Sequence, residues 1–386
     1  MSTPATGSRI SSLDGLRGAA ALVVLLHHAL LTMSGFAAVY WAEPFPAYVA
    51  AFAFTPLHAV WAGPEAVLVF FVLSGVVLTL PAVRGRALPW RAYYPSRLIR
   101  LYLPVVFAVG FALLLARVWP RRTDSADSPW IQMHNEAPTL ANAAKNAFLL
   151  NGTTWLNSPL WSLQWEVLFS LLLPLYLWLA LRLGRRQWQI IGGIMLALIL
   201  IGETTGVTAL RFLPFFGLGA LIAVNLDRLR SVSARFDQSG GSLLAQLAIA
   251  AGAVLLLIFQ WWPGSILSPA VKPAGSVAVA LGAVLLVLVA VCLPRAQRLL
   301  TSRALRAAGM ISFSLYLVHE PILVTLAVIA PGDMSWIAPV VGIPLSLAAG
   351  WVFYLIVERA THRLARLVAR RLADRRRRDT DPAIGR

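Results

Sequence analysis

A single cysteine, Cys292, stands among 386 residues. One thiol excludes an intrachain disulfide, a cysteine cluster for zinc and a CxxC redox motif. At the end of an apolar run it reads as a small packing residue. Charge is scarce too. Asp, Glu, Lys and Arg make up 13% of the chain, about half the share of a soluble globular domain. Acids are scarcer than bases, 16 against 33, and the formal net charge is +17. The apolar–polar alternation of a membrane barrel is missing. So are HExxH, a GxSxG frame around Ser74, any repeat of fixed period and a second soluble domain. No metal site is expected.

What fills the chain instead is hydrophobic sequence, at 59%, with a mean hydropathy of +0.73. Ten runs are long enough to be spans: 19–37, 65–83, 101–119, 159–181, 188–204, 208–225, 243–261, 274–293, 311–330 and 337–357. Each is apolar all round, unlike a surface helix. The expectation is an all-α polytopic membrane protein of about ten transmembrane helices. Residues 1–18 form a cytoplasmic N-terminal segment, 19–358 the transmembrane domain and 359–386 a basic tail.

With the N-terminus in the cytoplasm, 27 of the 33 basic residues fall on the cytoplasmic side. The other side keeps Arg117, Arg121, Arg122, Lys145, Arg211 and Lys272. That asymmetry favours an N-in, C-in chain with an even number of spans. Topology therefore accounts for the positive charge, and no nucleic-acid partner is expected. The tail from Arg359 reads as a solvated segment near anionic lipid. The first run has the basic lead of a signal peptide, but it is long for one and carries polar groups, so it reads as an uncleaved span. The loop over 120–157 is polar and contains a formal glycosylation sequon at Asn151.

Ionisable groups inside spans are costly and mark function by default. They are His27, His28, Glu65, Glu166, His319 and Glu320. Arg17 and His28 are eleven positions apart, so they share a helix face with about 16 Å between them along the axis. A long anion would suit that face, with phosphate at Arg17 and its reactive end at an imidazole deep in the bilayer. Histidine titrates near neutrality and serves as a general base. Arg97 and Arg100 share a face at a helix start, where paired guanidinium groups suit phosphate. Glu166 lies one turn inside the Trp161–Trp165 interface. Ser74-Gly75 reads as a close helix contact.

The stretches LDGLRGAAALVVLLHH, FFVLSG, SRLIRLYLP, LWSLQWEVLFSLLLPL, FLPFFGLGALIA, ISFSLYLVHEPIL and VERATHRLAR occur in that order over residues 10 to 365. Together they resemble the acyltransferase-3 family of integral membrane O-acyltransferases. The family's arginine–ten residues–histidine motif falls on Arg17 and His28, and its arginine pair on Arg97 and Arg100. The resemblance implies transfer of an acyl group, usually acetyl, from an acyl-CoA donor to a carbohydrate or glycosylated hydroxyl acceptor. It implies acyl-CoA on the cytoplasmic side of the cell membrane, bound by Arg17, Arg97 and Arg100, with His28 as general base. Glu166 or His319 would orient His28 or bind acceptor hydroxyls. Asp14 would cap the first helix or orient Arg17. The acid that many relatives carry just before the FF pair is replaced here by Leu68 and Val69, with Glu65 further back. The rival reading is a multi-span transporter or flippase without acyl chemistry, against which no inverted repeat is visible.

Overall fold

The computed structural model describes residues 10–122, 127–150, 152–238, 243–262, 272–330 and 332–380. The sequon at Asn151 and the end of the tail lie outside them. The described residues are mostly helical and form no strand. Among them eight helices are long and apolar enough to cross a membrane, or nine when one bent pair counts as a span. The bent pair joins Thr208–Val224 to Leu226–Phe236 at 67°. The expected run at 243–261 forms a helix only over Leu243–Leu257, 15 residues, short of the roughly 20 that a crossing takes. Length and composition thus give eight or nine such helices among the described residues, against the ten runs expected.

The main helices are labelled here α1 (Ser11–Leu31), α2 (Gly63–Val83), α3 (Trp90–Val118), α4 (Trp161–Arg182) and α5 (Trp188–Thr205). They continue with α6 (Thr208–Val224), α7 (Leu226–Gln238), α8 (Leu243–Leu257) and α9 (Lys272–Cys292). The last three are α10 (Arg303–Ile329), α11 (Ile337–Phe353) and α12 (Arg359–Thr380).

By their internal contacts the residues fall into two units. The first gathers Met1–His27, Glu43–Arg86 and Leu173–Ser312. Its centre is the crossing of α2 and α6. A Cβ on Gly75 would lie 2.1 Å from the Phe216 carbonyl oxygen, and one on Gly219 would lie 2.1 Å from that of Val72. Only glycine at both positions lets the backbones meet, which is the close contact expected from the Ser74-Gly75 pair. Phe71 stacks on Phe216 beside it, 4.7 Å between centroids. Helix α6 is buried at every residue from Pro214 to Val224.

The second unit gathers His28–Ala42, Ala87–Leu172 and Phe313–Arg386. Within it α10 is enclosed over most of its length. A core of Leu31, Trp130, Ile131, Val324, Ala327 and Ala338 ties the short helix Pro129–Gln132 to α10 and α11. Arg121 fastens the same loop, donating to the carbonyls of Trp155 at 2.8 Å and Leu156 at 3.1 Å. Helix α11 passes through a π-helical turn at Tyr354–Glu358 into α12, which packs on α3. At that turn the buried Glu358 accepts from Ser314 Oγ at 2.5 Å and pairs with His362 at 3.8 Å.

The first helix corrects one expectation. It begins at Ser11 rather than residue 19 and ends at Leu31. Thr32 turns its hydroxyl back to the Ala29 carbonyl, Met33 is extended, and a new helix starts at Ser34. Asp14 is thus in the first turn, where its charge suits the helix dipole, and not at the cap. His28 is in the last turn.

Candidate functional site

The second unit concentrates its buried ionisable groups around His28. The ring of His319, 1% exposed, places Nδ1 3.0 Å from the Leu315 carbonyl oxygen, one turn back on α10. A carbonyl only accepts, so Nδ1 carries the proton and the neutral ring has its lone pair on Nε2. That Nε2 lies 2.9 Å from Nδ1 of His28. It follows that His28 donates from Nδ1 and, when neutral, has its own lone pair on Nε2. The second imidazole sets the tautomer of the first, as an orienting partner does in acid–base catalysis.

The adjacent residue on α10 supplies a charge. Glu320 is wholly buried, and its Oε2 is 3.8 Å from His28 Nε2. Its carboxyl group accepts from the Ser158 N–H at 2.6 Å on Oε1 and from Ser158 Oγ at 2.6 Å on Oε2. His134 Nε2 approaches Oε1 at 3.2 Å, while His134 Nδ1 meets the Trp130 carbonyl at 2.8 Å. Trp130 also packs on His28, 5.6 Å between centroids, and His134 sits 5.2 Å from the ring of Trp155. The side chain of His28 keeps 14% exposure, while those of His134 and Glu320 keep 0% and 1%. The imidazole of His28 thus keeps an exposure that His134, His319 and Glu320 lack. Asn157 closes that cluster by donating to the Leu317 carbonyl at 3.0 Å.

Glu166 forms an ion pair. Its Oε1 accepts from Arg97 Nη2 at 2.6 Å, and Arg97 Nε donates to Ser170 Oγ at 3.1 Å. Ser170 in turn donates to the Glu166 carbonyl, so α3 and α4 are joined through these three residues. Arg100, one turn along α3, is exposed.

The first unit holds the remaining polar groups. Arg17 is partly buried on α1, and its Nε has no hydrogen-bond partner among the described residues. His27 places Nδ1 3.0 Å from the Trp61 carbonyl oxygen. His58 is wholly buried against Trp261 (4.3 Å, stacked) and Trp61 (4.7 Å). Burial and the nearby His27 push it down to about 3. Glu65 accepts from Trp261 Nε1 at 2.9 Å. No three metal-type ligands converge among the described residues.

The sequence had pointed to His28, His319 and Glu320 separately, and the fold brings all three together. It had not pointed to His134, Ser158 or Trp130. All three lie in the polar 120–157 loop or just past it, where no periodicity singles out a buried residue. The available signal was PWIQMH, a short apolar stretch with a tryptophan and a histidine inside a polar loop.

A family model described as an acyltransferase domain matches residues 10–355, nearly the whole chain. No curated protein matches the chain, and no solved structure does.

Proposed function

Since the chain belongs to this acyltransferase family, we propose that it moves an acetyl or similar acyl group from acyl-CoA to a hydroxyl of a carbohydrate or glycosylated acceptor, with His28 as general base. The proposed place is the cell membrane. The observation that carries this reading is the 2.9 Å contact from His319 Nε2 to His28 Nδ1, which leaves the basic lone pair of His28 on Nε2. In the proposed step Nε2 takes the acceptor O–H proton as the oxygen attacks the thioester carbonyl. The C–O bond forms, the C–S bond breaks, and the proton passes from His28 to the leaving thiolate.

Arg17 supports the donor side of the reading. Its buried Nε lacks a partner, and α1 runs unbroken from it to His28. Phosphate at Arg17 with the thioester at His28 spans about 16 Å of helix. Arg100 is a second phosphate contact in this proposal. Arg97 is bound to Glu166, so it acts chiefly as the clamp between α3 and α4 and only secondarily on phosphate.

The test is thiol release from acetyl-CoA by protein purified in detergent, against a panel of sugars, for wild type and His28→Ala. Wild type is expected to release thiol with at least one sugar, and the variant to lose about 10²- to 10⁴-fold. Equal rates in the two proteins would remove His28 from the mechanism. A sample that neither turns over nor binds acetyl-CoA would favour the transporter.

A further inference from the structure

The hydrogen-bond geometry around Glu320 constrains protons as well as positions. His134 Nδ1 faces a carbonyl and must carry hydrogen. Its Nε2 faces Glu320 Oε1 at 3.2 Å, and two lone pairs cannot face each other at that distance. One proton therefore lies between them. Oε1 already takes the Ser158 N–H, and Oε2 takes the Ser158 hydroxyl. The proton is shared between the two groups, and together with the Ser158 contacts it holds both oxygens of Glu320 in place.

We propose that His134 and Glu320 are positioning residues for His28. His134 and Ser158 hold the Glu320 carboxyl group in place, and Glu320 is the counter-ion to the imidazolium that His28 forms. The inference rests on the reading of His28 as the base. At 3.8 Å the carboxylate is too far to hydrogen-bond His28 Nε2 but close enough to stabilise positive charge on it. No proton leaves the pair during the reaction. The proton taken by His28 goes on to the thiolate.

Other charged or titratable groups in the surroundings are few. His319 is committed to Leu315 and His28. Arg121 attracts Glu320 and Glu136 while it donates to the loop carbonyls. Burial lowers its guanidinium from the ordinary value. Tyr316 is held by the Pro159 carbonyl and Ser162, and Glu166 is paired with Arg97. None of them replaces Glu320 beside His28 Nε2.

The test is a ¹⁵N-histidine NMR titration of the full chain in lipid vesicles, with signals assigned by single substitutions. In wild type, His28 is expected to show the Nδ1–H form when neutral. Glu320→Gln should lower the proton affinity of His28 about tenfold or more. An Nε2–H form of neutral His28 in wild type would overturn the proposal without need of any variant. An unmoved His28 midpoint in a folded Glu320→Gln protein would overturn it too. Neither readout needs turnover, so the proposal stands or falls separately from the His28→Ala assay. If that assay removes His28 from the mechanism while the NMR is as expected, the base assignment alone has failed.

Discussion

Arg97 and Arg100 are alike in the sequence and unlike in the fold. Arg97 spends its guanidinium on Glu166 and Ser170, and both charged side chains of that ion pair are mostly buried. Truncating one partner of such a pair leaves the other charge uncompensated, which is the costly event. Arg100 is exposed at the same helix end, so spacing alone could not separate an ion-pair clamp from a phosphate ligand. His58 makes the opposite case, a residue that the folded state keeps neutral. It sits between Trp61 and Trp261 with neither ring nitrogen hydrogen-bonded among the described residues, and its pKa falls to about 3. In the unfolded chain it would titrate near 6.5. Between those values only the unfolded state binds the proton, so stability rises with pH across that window. The contribution is complete above about pH 6.5 and is lost as pH falls through about 3. The thermal midpoint in detergent should therefore drop on going from pH 7 to pH 5. His58→Phe, which fits the aromatic box without a titrating group, should flatten that slope. An equal slope in both proteins would assign the acid sensitivity elsewhere.

At the scale of elements the α2–α6 crossing is the tightest local constraint. FFVLSG places Gly75 where another backbone arrives, and FFGLGALIA places Gly219 opposite it. Gly75→Ala would press a methyl group into the Phe216 carbonyl, and overpacking of this kind typically costs about 1–3 kcal/mol. Gly110 in α3 has open space where its Cβ would go. Gly110→Ala should be neutral or slightly stabilising, because alanine is the better helix former. Differential scanning fluorimetry of the two variants checks the pair. A similar loss in both would mean that helix propensity, not the crossing, sets the cost. The register of α1 was harder to read. Its apolar run begins near residue 19, yet the helix starts at Ser11, and its first turns pack at Gly15 against the Leu300 carbonyl. That is a tertiary contact, which hydropathy does not register.

For the whole molecule the governing feature is the distribution of arginine. Helices α11 and α12 run together from Ile337 to Asp374, 38 residues. At about 1.5 Å per residue that length exceeds the roughly 30 Å hydrocarbon core, so the basic half projects beyond it. The prediction from the charge asymmetry is that this end faces the cytoplasm, as does the loop that holds Arg84 and Arg86. In a Cys292→Ser background, an impermeant maleimide applied to intact cells should label Ala137→Cys and spare Arg86→Cys. Permeabilised cells should label both. Labelling of Arg86→Cys in intact cells would reverse the orientation.

The helical membrane class, most of the span positions and the sidedness expected from charge were all decided by composition and periodicity. These properties depend on how each segment meets lipid and water, and they need no knowledge of its neighbours. The histidines and the glutamate were visible for a similar reason, since an ionisable group in an apolar run is conspicuous. Their partners were not visible. Only the tertiary structure set His319 and Glu320 beside His28, gave Glu166 to Arg97 and brought His134 in from the loop. Hydrogen bonds act over about 3 Å between atoms that here come from residues up to 291 positions apart. No local pattern encodes such a distance. The packing of α10 and the anchoring of the loop by Arg121 decide it.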